Sequence, residues 1–127
     1  MSQLAAVDAR DVDVSNVHPD KVAVARREAP GGEETSRLAQ LFKLLGDPTR
    51  TRILYAVLGA EELCVSDIAA AVEVPETTVS QALRLLRTAG VVANRREGRL
   101  MYYRLADAHV RMLLDLSRAH ARHEGSH

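Results

Sequence analysis

Tryptophan is absent from this chain of 127 residues, phenylalanine occurs once, and aromatic side chains make up only 3%. A core must therefore come from Leu, Val, Ile and Ala, as in many helical domains. Cysteine also occurs once, as Cys64, so an intrachain disulfide framework is excluded. No apolar run approaches the roughly 18–20 residues that a membrane span requires, and no membrane partner is expected. The N-terminus, with Asp8, Asp11 and Asp13, lacks the basic and hydrophobic regions of a secretory signal, which predicts a cytoplasmic location. An excess of one charge is missing too: 17 basic and 17 acidic side chains cancel at neutral pH. That total by itself gives no support to nucleic-acid binding.

A hydrophobic fraction of 46% argues against wholesale disorder, and 127 residues suffice for one small domain with a modest core. The distribution of charge says more than its sum. Residues 1–36 hold seven acids and four bases, whereas residues 75–104 hold six arginines against Glu76 and Glu97. The positive charge is thus gathered in one stretch, where a polyanion would need it.

Along the chain, residues 1–32 lack sustained periodicity and end at Pro30-Gly31-Gly32, which predicts a mobile N-terminal arm with a short helix near Asp20–Glu28 begun by Pro19. Glu33–Leu45 carries Leu38, Leu41, Phe42 and Leu45 at helical spacing and stops at Gly46. Asp47-Pro48 opens a second firm helix, which carries Ile53, Leu54, Val57 and Leu58 inward. A third is predicted over Leu63–Val72, capped by Ser66 or Asp67. A fourth covers Glu76–Ala89, with Val79, Leu83 and Leu86 inward and Gly90 as its stop. The period then changes to two. Residues 91–95 and 100–105 are strand-like, with Glu97-Gly98 as the turn. A last helix spans Asp107–His123, capped by Asp107. The expected fold is mainly α with a two-stranded β-wing, a winged helix-turn-helix occupying 33–123, followed by a tail at 124–127.

In a helix-turn-helix the second helix enters the major groove and presents its N-terminal side chains to base edges. Here those side chains are Thr77, Thr78, Ser80 and Gln81, with Arg84 and Arg87 further along. In the wing, Arg95, Arg96 and Arg99 flank the turn, suited to phosphate or minor-groove contact. Double-stranded DNA is the partner these residues predict.

The last helix carries a different chemistry. Asp107, His109, His120 and His123 all offer metal-ligand atoms. At 100° per residue, His109, Leu113, Leu116, His120 and His123 share a sector of roughly 80°, while Arg111, Asp115, Arg118 and Arg122 take the opposite face. His109 and His120 stand about 16 Å apart along the axis, far beyond the span of one ion with bonds near 2 Å. An antiparallel copy of the helix solves the problem. Asp107 and His109 of one chain would meet His120 and His123 of the other, two equivalent sites in a homodimer joined through its terminal helices. A zinc hydrolase is not expected, because four protein ligands leave no open position for a catalytic water. Nor does any nucleophile and base pair occur.

Several segments together resemble the ArsR/SmtB family of bacterial metal-responsive transcriptional repressors over residues 33–123. They are Leu44-Leu45-Gly46-Asp47-Pro48-Thr49-Arg50-Thr51-Arg52-Ile53-Leu54, Glu62-Leu63-Cys64-Val65-Ser66-Asp67-Ile68, Val79-Ser80-Gln81-Ala82-Leu83-Arg84-Leu85-Leu86 and Gly98-Arg99-Leu100-Met101-Tyr102-Tyr103. The resemblance implies a homodimer that binds palindromic operators without metal and leaves them when metal binds. It also implies a C-terminal-helix site matched in full by Asp107-Ala108-His109 and His120-Ala121-Arg122-His123. A second, thiolate-rich site is put in doubt by Ser66 and by an arm without cysteine. An accessory set of Cys64, Asp67 and His18 is implied in its place; on their own, Cys64 reads as a packed small residue and Asp67 as a cap. Ala82 stands where relatives often carry His. A second-shell bond from His120 toward the backbone near Gly90 is likewise implied by the resemblance. An Asp/His₃ set suits tetrahedral zinc, with cobalt substituting and nickel ranked behind. A dimer of the same fold that senses no metal is the alternative, as is a nickel or cobalt sensor.

Overall fold

The computed structural model describes residues 17–125. Its elements, in order, are α1 (Pro19–Glu28), α2 (Gly32–Leu45), α3 (Pro48–Ala60), β1 (Leu63–Cys64), α4 (Val65–Val72), α5 (Glu76–Thr88), β2 (Val92–Glu97), β3 (Leu100–Leu105) and α6 (Ala108–Gly125). Two compact units divide the chain, Met1–Phe42 and Lys43–His127.

In the first unit, α1 starts on Pro19, with Asp20 in its first turn and Arg26 and Arg27 in its last, the arrangement that complements a helix dipole. It buries none of its residues. The expected helix near Asp20–Glu28 is therefore present, while residues 1–16 of the expected arm lie outside the described residues. The predicted apolar stripe of α2 is present on a helix, with Leu41 and Leu45 half-buried and Leu38 and Phe42 38% and 63% exposed.

The second unit is built on a stripe of four. Val79, Ala82, Leu83 and Leu86 recur at i, i+3, i+4 and i+7 along α5, and all are buried. Against them pack Ile53, Leu54 and Val57 of α3 and Ile68, Ala69 and Val72 of α4. The start of α3 is fastened locally. Asp47 Oδ2 accepts from the Arg50 amide at 3.0 Å, Arg50 Nε donates to the Leu44 carbonyl at 2.9 Å, and Thr51 Oγ1 donates to the Leu45 carbonyl at 2.8 Å. Arg52 donates to the Val72 carbonyl at 2.8 Å and so satisfies the end of α4. The Asp47 to Arg52 run thereby ties three helices together with side chains alone.

A three-residue turn joins α4 to α5. Glu73 closes α4 in the left-handed region at φ 59°, and Pro75 precedes α5 in extended conformation. At the far end of α5, Gly90 takes φ +77°, and the Val91 amide donates back to the Leu86 carbonyl at 2.9 Å. The chain then enters β2. Its pairing with β3 runs from Val92 opposite Leu105 to Glu97 opposite Leu100, leaving a two-residue turn of Gly98 and Arg99, with Gly98 at φ +62°.

Two expectations need correction. The sheet has three strands, ordered β1-β3-β2, because Leu63 and Cys64 pair with Tyr103 and Tyr102 instead of opening a helix. The free edge of β3 supplies ladder partners that outweigh the helical reading of this apolar run. The following helix begins only at Val65; Cys64 occupies its N-cap position without a side-chain bond, and Asp67 lies inside its first turn. Ser66 and Asp67 are therefore not caps. In the wing, Glu97 belongs to the strand and not to the turn.

Leu83, with no exposed surface, reports on this packing. Leu83→Ala should cost about 2–5 kcal/mol, read as a lower urea midpoint at unchanged slope.

Candidate nucleic-acid interface and metal-ligand helix

Burying one stripe of α5 fixes what the helix shows outside. By helical geometry Thr77, Gln81 and Arg84 lie diametrically opposite the buried side chains, with Thr78 to one side and Ser80 and Arg87 to the other. All six are exposed. Ala82 is buried and presents nothing outward. A cleft of about 250 Å³ runs beside this face, lined by Asp47, Thr49 and Arg50 of the α3 start and by Thr78, Gln81, Ala82 and Leu85 of α5. Thr49 and Arg50 were missed from sequence as neighbours of the reading helix, since Asp47-Pro48-Thr49-Arg50 reads only as a helix start.

The wing arginines divide into two kinds. Arg95 makes paired hydrogen bonds to both carboxylate oxygens of Glu62 at 2.8 Å, a third to Glu97 at 2.6 Å, and lies 4.8 Å over the Tyr102 ring. Register explains this: Tyr102 is directly opposite Arg95 on β3, and Glu62 leads into β1 on the strand beyond. The bidentate bond from Arg95 holds the Glu62 carboxyl below its ordinary value against an opposing desolvation, with the charges of Arg95 and Arg104 adding to the pull; its bonds to Glu62 and Glu97 raise the Arg95 guanidinium. Arg96 and Arg99 form no ion pair among the described residues, and both are exposed.

On α6, Leu114 is buried and Val110 half-buried, so this face meets the chain's own unit. Tyr55 donates to the Leu114 carbonyl at 2.6 Å, and Arg118 stacks 5.0 Å over the Tyr55 ring. The face predicted to lie opposite the histidines, around Arg118, is in part this internal contact. Tyr55 was also missed, because a lone aromatic inside an apolar helix gives no spacing signal. The face carrying His109, Leu113, Leu116, His120 and His123 is turned about 140° away from Leu114. Leu113 and Leu116 are 40% and 65% exposed there.

Asp107 caps α6, its Oδ1 accepting from the Val110 amide at 3.1 Å, and His109 Nδ1 lies 3.7 Å from the same oxygen. These two donors share one place at the helix start. His120 and His123, three residues apart, share the other end. No group of three or more such donors converges among the described residues of a single chain. Within one chain the four donors thus fall into two pairs, one at each end of α6. Cys64 is buried, its Sγ 3.4 Å from Ser66 Oγ, and Asp67 is exposed; His18 belongs to the first unit.

A polar reading helix, a β-hairpin beside it and a three-helix core define a winged helix-turn-helix DNA-binding regulator, not an enzyme. The model of the arsR family of bacterial regulatory proteins matches residues 47–94. The cadmium resistance transcriptional regulatory protein CadC homolog of Staphylococcus aureus is 38% identical over 114 residues, 90% of this chain and 93% of that protein. The transcriptional repressor SmtB homolog of Synechocystis is 44% identical over 94 residues, 74% of this chain and 70% of that protein. The solution structure of the homodimeric winged helix-turn-helix DNA-binding domain Mb0332 from Mycobacterium bovis matches with a TM-score of 0.64 at 33% identity, covering 74% of this chain and 90% of that one. The chain belongs to the arsR family. Among the described residues no helix is long and apolar enough to cross a membrane.

Because the Glu62 carboxyl sits below its ordinary value in the folded chain, its contribution is present above the unfolded value of about 4.3 and is lost as pH falls through the lower folded one. Melting temperatures of wild type and Glu62→Gln should therefore differ at pH 6 and converge toward pH 3. Equal differences at both would remove the carboxylate as cause.

Proposed function

We propose that this chain is a metal-sensing transcriptional repressor, homodimeric through its terminal helices, that binds palindromic operator DNA in the metal-free state and leaves it on binding zinc. Residues 33–123 form the DNA-binding and dimerisation domain. The observation that carries the reading is the orientation of α6: its Val110–Leu114 face meets its own unit, and its histidine and leucine face is left exposed. An exposed apolar stripe flanked at both ends by metal donors suits a second copy of the same helix. The homodimeric state of the Mycobacterium bovis domain and the cadmium-resistance role named for the Staphylococcus aureus relative support the same conclusion.

Asp107 and His109 of one protomer with His120 and His123 of the other would hold the ion. When bound it supplies coordination bonds that join the two α6 helices, with tetrahedral zinc suited to four such donors and cobalt or nickel as substitutes. Imidazole binds a metal through an unprotonated nitrogen, so protons compete with the ion for these side chains. Joined helices favour one spacing of the two reading helices. Operator DNA favours another, and that difference in affinity is the whole of the regulatory effect. Cys64, Asp67 and His18 are an accessory set only if the arm brings His18 to Cys64. The buried, Ser66-bonded thiol supports the packing role instead.

On DNA, Thr77, Thr78, Ser80 and Gln81 face base edges or phosphates, Arg84 and Arg87 the backbone, and Arg96 and Arg99 the phosphates beside the wing. Arg95 serves the wing's own structure through Glu62. Replacing Arg99 with Ala removes one phosphate contact per protomer, two per dimer, and should lower the slope of log affinity against log salt by about 1.8. Arg95→Ala should leave that slope near wild type; a drop like that of Arg99→Ala would return Arg95 to the phosphate contacts.

The deciding experiment is operator titration with zinc, cobalt, nickel and cadmium, alongside equilibrium dialysis. Two zinc ions per dimer with weakened operator binding support the proposal. No bound zinc and an unchanged operator affinity would make this a non-sensing dimer of the same fold. His120→Ala should lose the zinc response of operator affinity while keeping metal-free binding.

A further inference from the structure

Resting on the metal-sensing reading above, we propose that Tyr55 is the positioning residue through which α6 governs the DNA-reading helices. Its place on α6 is the first argument. Tyr55 bonds the carbonyl of Leu114, and Arg118, one turn on, stacks on its ring. The midpoint between His109 and His120 falls at Leu114 and Asp115. The donor pairs therefore sit at the two ends of the helix, and Tyr55 holds its middle. Forces applied at both ends turn a rod about its point of attachment, and the attachment here consists of Leu114, half-buried Val110 and the tyrosine contact, together with packing on β3.

The second argument is what lies behind Tyr55. It stands on α3, two residues before Val57 and one after Leu54, both buried in the core. α3 packs on both α4 and α5, the two helices of the reading motif. A tilt of α6 that drags or releases the tyrosine is thus passed to α3 as a rigid element, and from there to the polar face of α5. Apolar contact at Leu114 tolerates sliding. A hydrogen bond of 2.6 Å with a ring clamped by a guanidinium has one well-defined geometry, and so it discriminates between two positions of the helix.

Tyr55→Phe tests this, because it deletes the hydroxyl and keeps the ring beneath Arg118. The probe is a fluorescent palindromic duplex selected by the metal-free protein from a random library. Zinc affinity is measured separately by chelator competition, and hydrogen exchange of the α6 amides is followed without metal. Operator affinity of the metal-free variant and its zinc affinity should stay within about twofold of wild type, while the zinc-induced loss of operator affinity shrinks by about tenfold. Exchange at the amides around Arg118 should rise. A purely structural role would lower melting temperature and metal-free operator affinity together and leave the zinc effect intact, which overturns the inference. If Tyr55→Phe does not fold, Arg118→Gln at an exposed position removes the clamp and must weaken the zinc effect in the same direction. Wild-type coupling in either folded variant overturns the role of Tyr55 alone. A wild-type protein whose operator affinity ignores zinc overturns the metal-sensing reading and this inference with it.

Discussion

The burial of Val79, Ala82, Leu83 and Leu86 is the constraint on which the rest of the molecule depends. Four apolar side chains at helical spacing leave only one rotation of α5 that removes them from water, at roughly 25 cal/mol for each Å² covered. That rotation sends every hydroxyl, amide and guanidinium of the helix outward. Nothing in the polar face has to be positioned separately. The residues that read are placed by the residues that do not.

The same logic, incompletely satisfied, governs α6. One of its faces is taken up by Val110, Leu114 and the tyrosine of α3, and the other carries the exposed side chains of Leu113 and Leu116. Within one protomer such a face is a cost, since Leu116 remains 65% exposed. On the proposed reading, donor pairs at both ends of the stripe are what an antiparallel twin would match end for end and an arbitrary apolar partner would not.

Much of this was legible from residue order. The helices announced themselves by period, the stops by Gly46 and Gly90, and the wing by a change from helical spacing to alternation around Gly98. The placing of Asp107 with His109 and of His120 with His123 at opposite ends of one helix followed from residue spacing. What escaped was contact between distant segments. β1 is only two residues long and exists because β3 has an open edge, which no local pattern around Leu63 reveals. Arg95 looks like its neighbours in sequence, and only the order of strands brings Glu62 to it. Tyr55 is silent for the same reason: its partner lies 59 residues away.

Cys64 is the chain's only sulfhydryl, and it is sealed in the interior against Ser66. Oxidants and alkylating reagents therefore meet no thiol at the surface. Two copies therefore cannot be stapled through a surface disulfide by aerobic ageing. On the proposed reading, the link between protomers rests on nitrogen and oxygen donors, and a chelator undoes it with no bond to reduce.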